Sequence, residues 1–251
     1  MADEFDHSAW TELLGKHVVA IDDGNSTAVD YAGIGAERSA LTAYLSRLAT
    51  VSQTEFDGWS RDDQLAFLIN VYNAWTVDLI LQRYPDLESI RNLGSFFSSP
   101  WKKDFVALFG ETVSLDHVEH TLIRGSGRYN DPRIHFAVNC ASIGCPALAN
   151  EAYTSESLDA QLDAATVRFL GDASRNRAVR NGDEVRLEVS SIFKWYRGDF
   201  EQGWRGTNSL GAFFARYAES LGLTDNETTK AAADDIAIRF LAYDWALNDT
   251  P

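Results

Sequence analysis

The sequence predicts an α+β fold: a predominantly helical single domain around a small antiparallel β-sheet. Three observations carry this expectation. Segments 37–50 and 64–83 place apolar residues at helical spacing. Two strand-like runs, 177–179 and 185–189, flank Asn181-Gly182-Asp183, residue types that tolerate the positive φ of a hairpin turn. Helical segments outnumber strands, and no glycine-rich phosphate loop or dinucleotide fingerprint interrupts them. With 251 residues and seven Trp, nine Tyr and fourteen Phe, the chain can bury one substantial core. Residues 1–35 read as an N-terminal arm docked on a globular body of residues 36–251.

Charge narrows the partners. A net charge of −15 disfavours nucleic acid and anionic membranes, because the mean field repels polyphosphate. The expected ligand is a small molecule or peptide; the sequence does not set the oligomeric state. No run of about eighteen apolar residues suggests a transmembrane helix. The Met-Ala-Asp-Glu-Phe-Asp opening lacks the basic region and apolar core of a signal peptide, so a periplasmic or secreted location would require a leader already removed. The two cysteines, Cys140 and Cys145, leave the redox compartment open between a disulfide and two thiols.

Taken in order, an amphipathic piece around Trp10, Leu13 and Leu14 precedes a turn cluster at 22–26 and an extended link at 29–34. Leu41, Tyr44, Leu45 and Leu48 give 37–50 one buried face. Ser60 or Asp62 caps the helix 64–83, which is apolar almost all round and therefore central. Its Asn70, Asn73 and Asp78 must meet polar partners, since a buried amide left unpaired costs about 1–3 kcal/mol. Tyr84-Pro85 ends it. Phe96, Phe97, Pro100 and Trp101 mark a loop that packs over something, and 105–113 reads as a hairpin. Ser114 caps a helix, 115–124, that carries Asp116, His117, Glu119 and His120. His117 is expected exposed and His120 at the edge of the buried face.

The densest stretch is 134–146, Ile-His-Phe-Ala-Val-Asn-Cys-Ala-Ser-Ile-Gly-Cys-Pro. Ile134, Phe136 and Val138 alternate with His135, Ala137 and Asn139, which predicts a strand emptying into a tight loop. Pro146 at the first position of a helical turn would place Cys145 at a helix N-terminus, where a thiolate is favoured. Thr154 or Ser155 then begins a helix to 169. After the 177–189 hairpin, Ser190-Ser191 caps 192–196, Asn208 opens a helix through 221, 228–240 is another, and 241–247 ends as an aromatic strand. The predicted sheet combines 135–139, the hairpin and 241–245.

Leu68-Ile69-Asn70-Val71-Tyr72-Asn73-Ala74, Val118-Glu119-His120 with Arg124, His135 to Cys140 with Cys145-Pro146, Ile192-Phe193-Lys194-Trp195-Tyr196 with Asp199-Phe200, and Tyr243-Asp244-Trp245 together resemble the successive motifs of the DUF547 family. The resemblance spans roughly residues 40 to 247. It implies the fold and a set of positions but no reaction, because that family has no assigned function. Some of its members are fused to glutaredoxin or DEP domains, and many bacterial ones look exported.

The chemistry these residues suggest first is a thiol-dependent hydrolase or acyltransferase. Cys145 is the nucleophile and His120 or His135 the base, oriented by Asn70, Asn73 or Glu119. Backbone N–H groups of 141–145 would form the oxyanion site. A different class is a non-catalytic binding domain with a structural Cys140–Cys145 disulfide, and a third is a thiol-redox protein, although the spacing is not C-x-x-C. Cys140, Cys145, His120 and His135 could form a zinc set, but their spacing matches no common finger or ribbon, so no metal or cofactor is assigned. Set against the catalytic roles are plainer ones. The asparagines can clamp backbone, His135 can be a core histidine, and Trp195, Tyr196 and Phe200 can be core aromatics, with Arg197 and Asp199 lining a cleft.

Overall fold

A computed structural model describes residues 5–94, 99–182 and 184–250. Phe96, Phe97 and Asp183 lie outside the described residues. The N-terminal helix α1, Ser8–His17, buries Trp10, Leu13 and Leu14 as its spacing predicts. Strands β1, Val18–Ile21, and β2, Ser26–Val29, form an antiparallel hairpin across the 22–26 turn. The link expected at 29–34 is instead the end of β2 and the start of α2, Tyr31–Ala36, where Asp30 caps the helix by accepting from the Gly33 N–H at 2.7 Å.

Helix α3, Arg38–Thr50, buries Leu41, Tyr44, Leu45 and Leu48, and α4, Gln53–Asp57, leads into α5, Arg61–Leu81. Ser60 caps α5 through the Asp63 N–H at 3.1 Å. α5 is long and apolar enough to cross a membrane, but 89% of its apolar window is buried inside the protein, so it is the core helix. The large cluster packed around it includes Trp10, Tyr31, Tyr44, Phe67 and Tyr72.

The 105–113 segment forms the expected hairpin, β3, Val106–Leu108, with β4, Glu111–Val113. Ser114 Oγ accepts from the His117 N–H at 3.1 Å. From there the chain departs from the predicted α-helix: His117–Arg124 is wound as a π-helix, a rare conformation that recurs at functional sites. Gly125 follows because a Cβ there would come within 2.6 Å of the His120 carbonyl oxygen. His117 is half-buried rather than exposed.

The largest correction concerns 134–139. It is not a strand but a 3₁₀ turn, Pro132–Phe136, running into irregular backbone. Pro132 sits at the start of the turn, and Asp131 caps it through the Arg133 N–H at 3.0 Å. Every residue from 131 to 139 is buried, so the alternation of large and small side chains did not mark two faces. Nor does a helix begin at Pro146; the next one, α6, spans Leu158–Gly171, later than the predicted start.

Strands β5, Arg177–Asn181, and β6, Glu184–Val189, form the predicted hairpin, with Gly182 at φ +60° in its turn. α7, Ile192–Trp195, and α8, Arg197–Phe200, follow. α9, Leu210–Arg216, is capped by Ser209 and not Asn208. The helix predicted at 228–240 divides: a capping box of Thr224 and Glu227 starts α10, Asp225–Ala232, earlier. Asp234, at φ +56°, stops it. The remainder becomes β7, Ala237–Phe240, which pairs parallel with β6. The sheet is therefore mixed, ordered β5-β6-β7, and contains neither 135–139 nor 241–245. Residues 241–247 make only isolated bridges, Ala246 with Ser89 and Leu247 with Ser142. A second aromatic cluster, built on Phe136, Phe193, Phe200 and Phe213, backs this sheet.

Candidate active site

Asn73 and Asn70 show how the core helix shapes the rest of the molecule. Asn73 donates Nδ2 to the Ala137 carbonyl at 2.9 Å and accepts the Asn139 N–H on Oδ1 at 2.8 Å. Asn70 does the same for Tyr153, donating to its carbonyl at 2.8 Å and accepting its N–H at 3.0 Å. Each side chain thus replaces a missing backbone partner for an irregular strand of chain. Among the described residues neither amide is hydrogen-bonded to an imidazole.

Asn139 extends this clamp. Its Nδ2 donates to the Pro146 carbonyl at 2.7 Å and its Oδ1 accepts the Ala141 N–H at 2.8 Å, which holds Ala141 at φ +64°. Cys140 and Cys145 face each other across the loop and are paired as a disulfide, with Cα atoms 6.1 Å apart. The Cys140 N–H donates to Cys145 Sγ at 2.9 Å. Below the loop, the buried Arg175 guanidinium donates to the Cys145 carbonyl and to Asp172. Along its outer side runs the C-terminal segment, with Ile143 N–H to the Ala246 carbonyl and Gly144 N–H to the Asp244 carbonyl, both at 2.9 Å. The Cys145 N–H is taken by the Ser142 carbonyl at 3.0 Å. The amides of Ala141, Ile143, Gly144 and Cys145 are therefore committed to partners within the protein.

Where the two aromatic clusters meet lies a cleft of about 450 Å³. Glu119, His120, His135 and both cysteines line it, together with Asp116 and a set of aromatic rings. Residues that looked unrelated in sequence are brought together here by the π-helix, the 3₁₀ turn and α7.

His135 is fully enclosed. Its Nε2 donates to Asp199 Oδ2 at 2.7 Å, and its ring stacks on Tyr196 with centroids 4.0 Å apart. Among the described residues Nδ1 has no hydrogen-bond partner. Burial lowers the pKa of His135, against the opposing pull of the Asp199 hydrogen bond. The neutral ring therefore carries its proton on Nε2 and a lone pair on Nδ1. Asp199 accepts from His135 and also from Arg124, at 2.6 Å from Nε to Oδ2 and 3.2 Å from Nη2 to Oδ1. Burial raises its pKa, but the hydrogen bonds from His135 and Arg124 outweigh that and hold the carboxyl well below the usual carboxylate range.

Arg124 also fixes the second histidine. Its Nη1 donates to His120 Nδ1 at 2.8 Å, and a guanidinium can only donate. His120 in this arrangement carries its proton on Nε2. Glu119 Oε1 lies 3.6 Å from Nδ1, too far for a hydrogen bond, and instead accepts the Tyr196 hydroxyl at 2.9 Å. On the opposite wall a relay runs from Ser142 Oγ to the Tyr243 hydroxyl at 3.0 Å and from Tyr243 to Cys140 Sγ at 3.2 Å.

Among the described residues no hydrogen bond joins either imidazole to either sulfur, and no three His, Cys, Asp or Glu side chains are grouped to hold a metal. Sequence reasoning noted Asp199 only as a cleft-lining group. Its contact with His135 spans 64 positions, and nothing local announces such a pairing.

Neither a curated protein nor a solved structure matches the chain. The model of one family does match, over residues 56–170. That stretch holds the core helix, the π-helix with His120, and the cysteine loop; the 192–200 and 243–245 motifs fall outside it. That family is described as "Protein of unknown function, DUF547".

Proposed function

We propose that the cleft is the active site of a thiol-dependent hydrolase or acyltransferase whose disulfide is the resting form. Supporting this above all is the Asp199–His135 pair at 2.7 Å on the wall of the cleft that both cysteines line. A carboxylate that fixes one imidazole nitrogen as a donor leaves the other as a base. In the reduced protein Cys145 is the nucleophile. Its sulfur already receives the Cys140 N–H, a contact that favours a thiolate. His135 takes the thiol proton on Nδ1. His120, presenting Nε2–H, supplies the hydrogen bond to the developing oxyanion that the committed loop amides do not.

The test is turnover of p-nitrophenyl esters and aryl thioesters by the protein before and after reduction with dithiothreitol. Reduced protein should release the chromophore, with Cys145→Ala inactive and His135→Gln slowed at least 100-fold. Equal rates for the oxidised form, the reduced form and Cys145→Ala would defeat this reading.

A second reading has its own support. The disulfide, together with the lack of any imidazole–sulfur hydrogen bond among the described residues, suits a non-catalytic binding domain in which the pair staples the loop. In that case reduction lowers the melting temperature and exposes no thiol that iodoacetamide alkylates quickly at pH 6.

A further inference from the structure

The walls of the cleft have a charge character that the chemistry above does not use. Trp101, Trp195, Tyr196, Tyr243 and Trp245 present rings to it. Three of them pack against one another: the Trp195 ring centroid lies 4.9 Å from that of Tyr243 and 5.7 Å from that of Trp245, and Tyr243 lies 4.5 Å from Trp245. Trp195 is 48% exposed, an unusual cost for a tryptophan unless something covers it. Two carboxylates, Asp116 and Glu119, share the cleft, and among the described residues no lysine or arginine lines it. Arg124, the guanidinium beside His120, is matched by the two oxygens of Asp199. Among the described residues the charged partner of Asp116 is His120, whose Nε2 lies 3.8 Å away.

Resting on the acyl-transfer reading of this cleft, we propose that its substrate carries an alkylammonium group, seated against the Trp195–Tyr243–Trp245 face and neutralised by Asp116. Ring faces carry negative quadrupole potential and attract cations, more strongly as water is excluded. A carboxylate at the edge of such a box adds attraction that an anionic or neutral ligand cannot recover. Trp245 already shows this preference within the chain, since the Arg91 guanidinium stacks on its ring at 4.7 Å. Anionic substrates would meet Asp116 and Glu119 in a cleft whose described lining holds no lysine or arginine, inside a protein of net charge −15. The substrate class is thus an ester, thioester or amide with an ammonium-bearing flank, either a quaternary ammonium or the amine of a peptide side chain.

The cleft's own tryptophans report binding. Fluorescence titration of the intact protein with benzyltrimethylammonium, benzylammonium, benzyl alcohol and benzoate compares two cations, a neutral ring and an anion of similar size. We expect at least one cation to bind tenfold or more tightly than benzyl alcohol, and benzoate to bind most weakly. Asp116→Asn should remove most of the cation's advantage, and Trp195→Ala should weaken both cations. The stronger cation identifies which ammonium source the site prefers. Equal binding of cation and neutral ring, a preference for benzoate, binding of none of the probes, or an unchanged cation preference in Asp116→Asn overturns the proposal. The titration is run on oxidised protein and on Cys145→Ala, so it needs no nucleophile. A cation preference without turnover would sink the hydrolase alone, and turnover without a cation preference would sink this inference alone.

Discussion

His135 gives Nε2–H to Asp199 at 2.7 Å while burial holds its ring neutral. Asp199→Asn should therefore leave the fold intact and reduce turnover of reduced protein on the order of 100-fold or more, since the amide can stabilise the wrong tautomer. Arg124→Gln separates charge from tautomer. The Arg124 charge helps to keep the His135 pKa low, so its loss raises that pKa and moves the acid limb of the pH–rate profile to higher pH. An acid limb that stays in place or moves to lower pH in Arg124→Gln would show that the limb does not report His135.

The two asparagine clamps predict a dissociation of stability from function. Asn70→Ala and Asn73→Ala each remove two buried hydrogen bonds to backbone. Each should cost roughly 2–4 kcal/mol in urea unfolding, because the abandoned carbonyl and N–H stay buried. Only Asn73 holds the segment that leads into Cys140. Partial loss of turnover, or of cation binding, is expected for Asn73→Ala and not for Asn70→Ala once both are assayed well below their unfolding midpoints.

Gly144 permits a close approach. A Cβ there would sit 2.8 Å from the Asp244 carbonyl oxygen and 3.0 Å from the Tyr243 ring. Gly144→Ala must push the C-terminal segment away from the cysteine loop, at a cost of about 1–3 kcal/mol typical of overpacking. Faster hydrogen exchange at the Ile143 and Gly144 amides, whose acceptors are Ala246 and Asp244, is the direct readout.

Stability should fall on mild acidification, and His7 accounts for much of it. Burial pushes the pKa of His7 from its ordinary value of 6.5 down to about 4, and Nδ1 meets the Tyr44 hydroxyl at 2.6 Å. A histidine whose folded pKa is depressed binds its proton more readily in the unfolded chain. Stability is therefore full above pH 6.5 and is lost as pH falls toward 4, by about 3 kcal/mol at most for a shift of this size. His135 shifts in the same direction and adds to the slope. The depressed Asp199 pKa contributes separately, below the ordinary carboxylate value of 3.8. Melting temperature followed from pH 7.5 to 4.5 should drop for the natural chain and drop less for His7→Asn; parallel curves would remove His7 from the account.

Much of the helical frame was legible in the sequence. α3 carried clear apolar periodicity, α5 was apolar almost all round, Ser60 capped where a serine should, and Gly182 marked the β5–β6 turn. What failed had physical reasons. The alternation at 134–139 predicts a strand, but total burial strips alternation of its meaning and Pro132 favours a turn. The 228–240 stretch was read as one helix because its apolar spacing continues past Asp234, whose left-handed backbone ends α10 and frees Ala237–Phe240 to join β6. In the site, Glu119, His120, His135 and Cys145 all reach one cleft, yet the residues that hydrogen-bond the two imidazoles, Asp199 and Arg124, could not be paired from sequence. Asn70 and Asn73 did what buried amides usually do, which is to complete the hydrogen bonding of irregular backbone.

The docking of residues 243–248 on the cysteine loop bears on how the domain assembles. Tyr72, His120, His135, Cys145, Tyr196 and Tyr243 meet in space only after long stretches of chain have closed, and each closure is slow relative to local helix formation. Helices and the β5–β6 hairpin can appear without a cleft; the cleft itself appears only when the last wall is laid down. The cleft is therefore complete only once residues 243–248 are docked, and a protease cut just after Phe240 would remove Tyr243 and Trp245 from its wall.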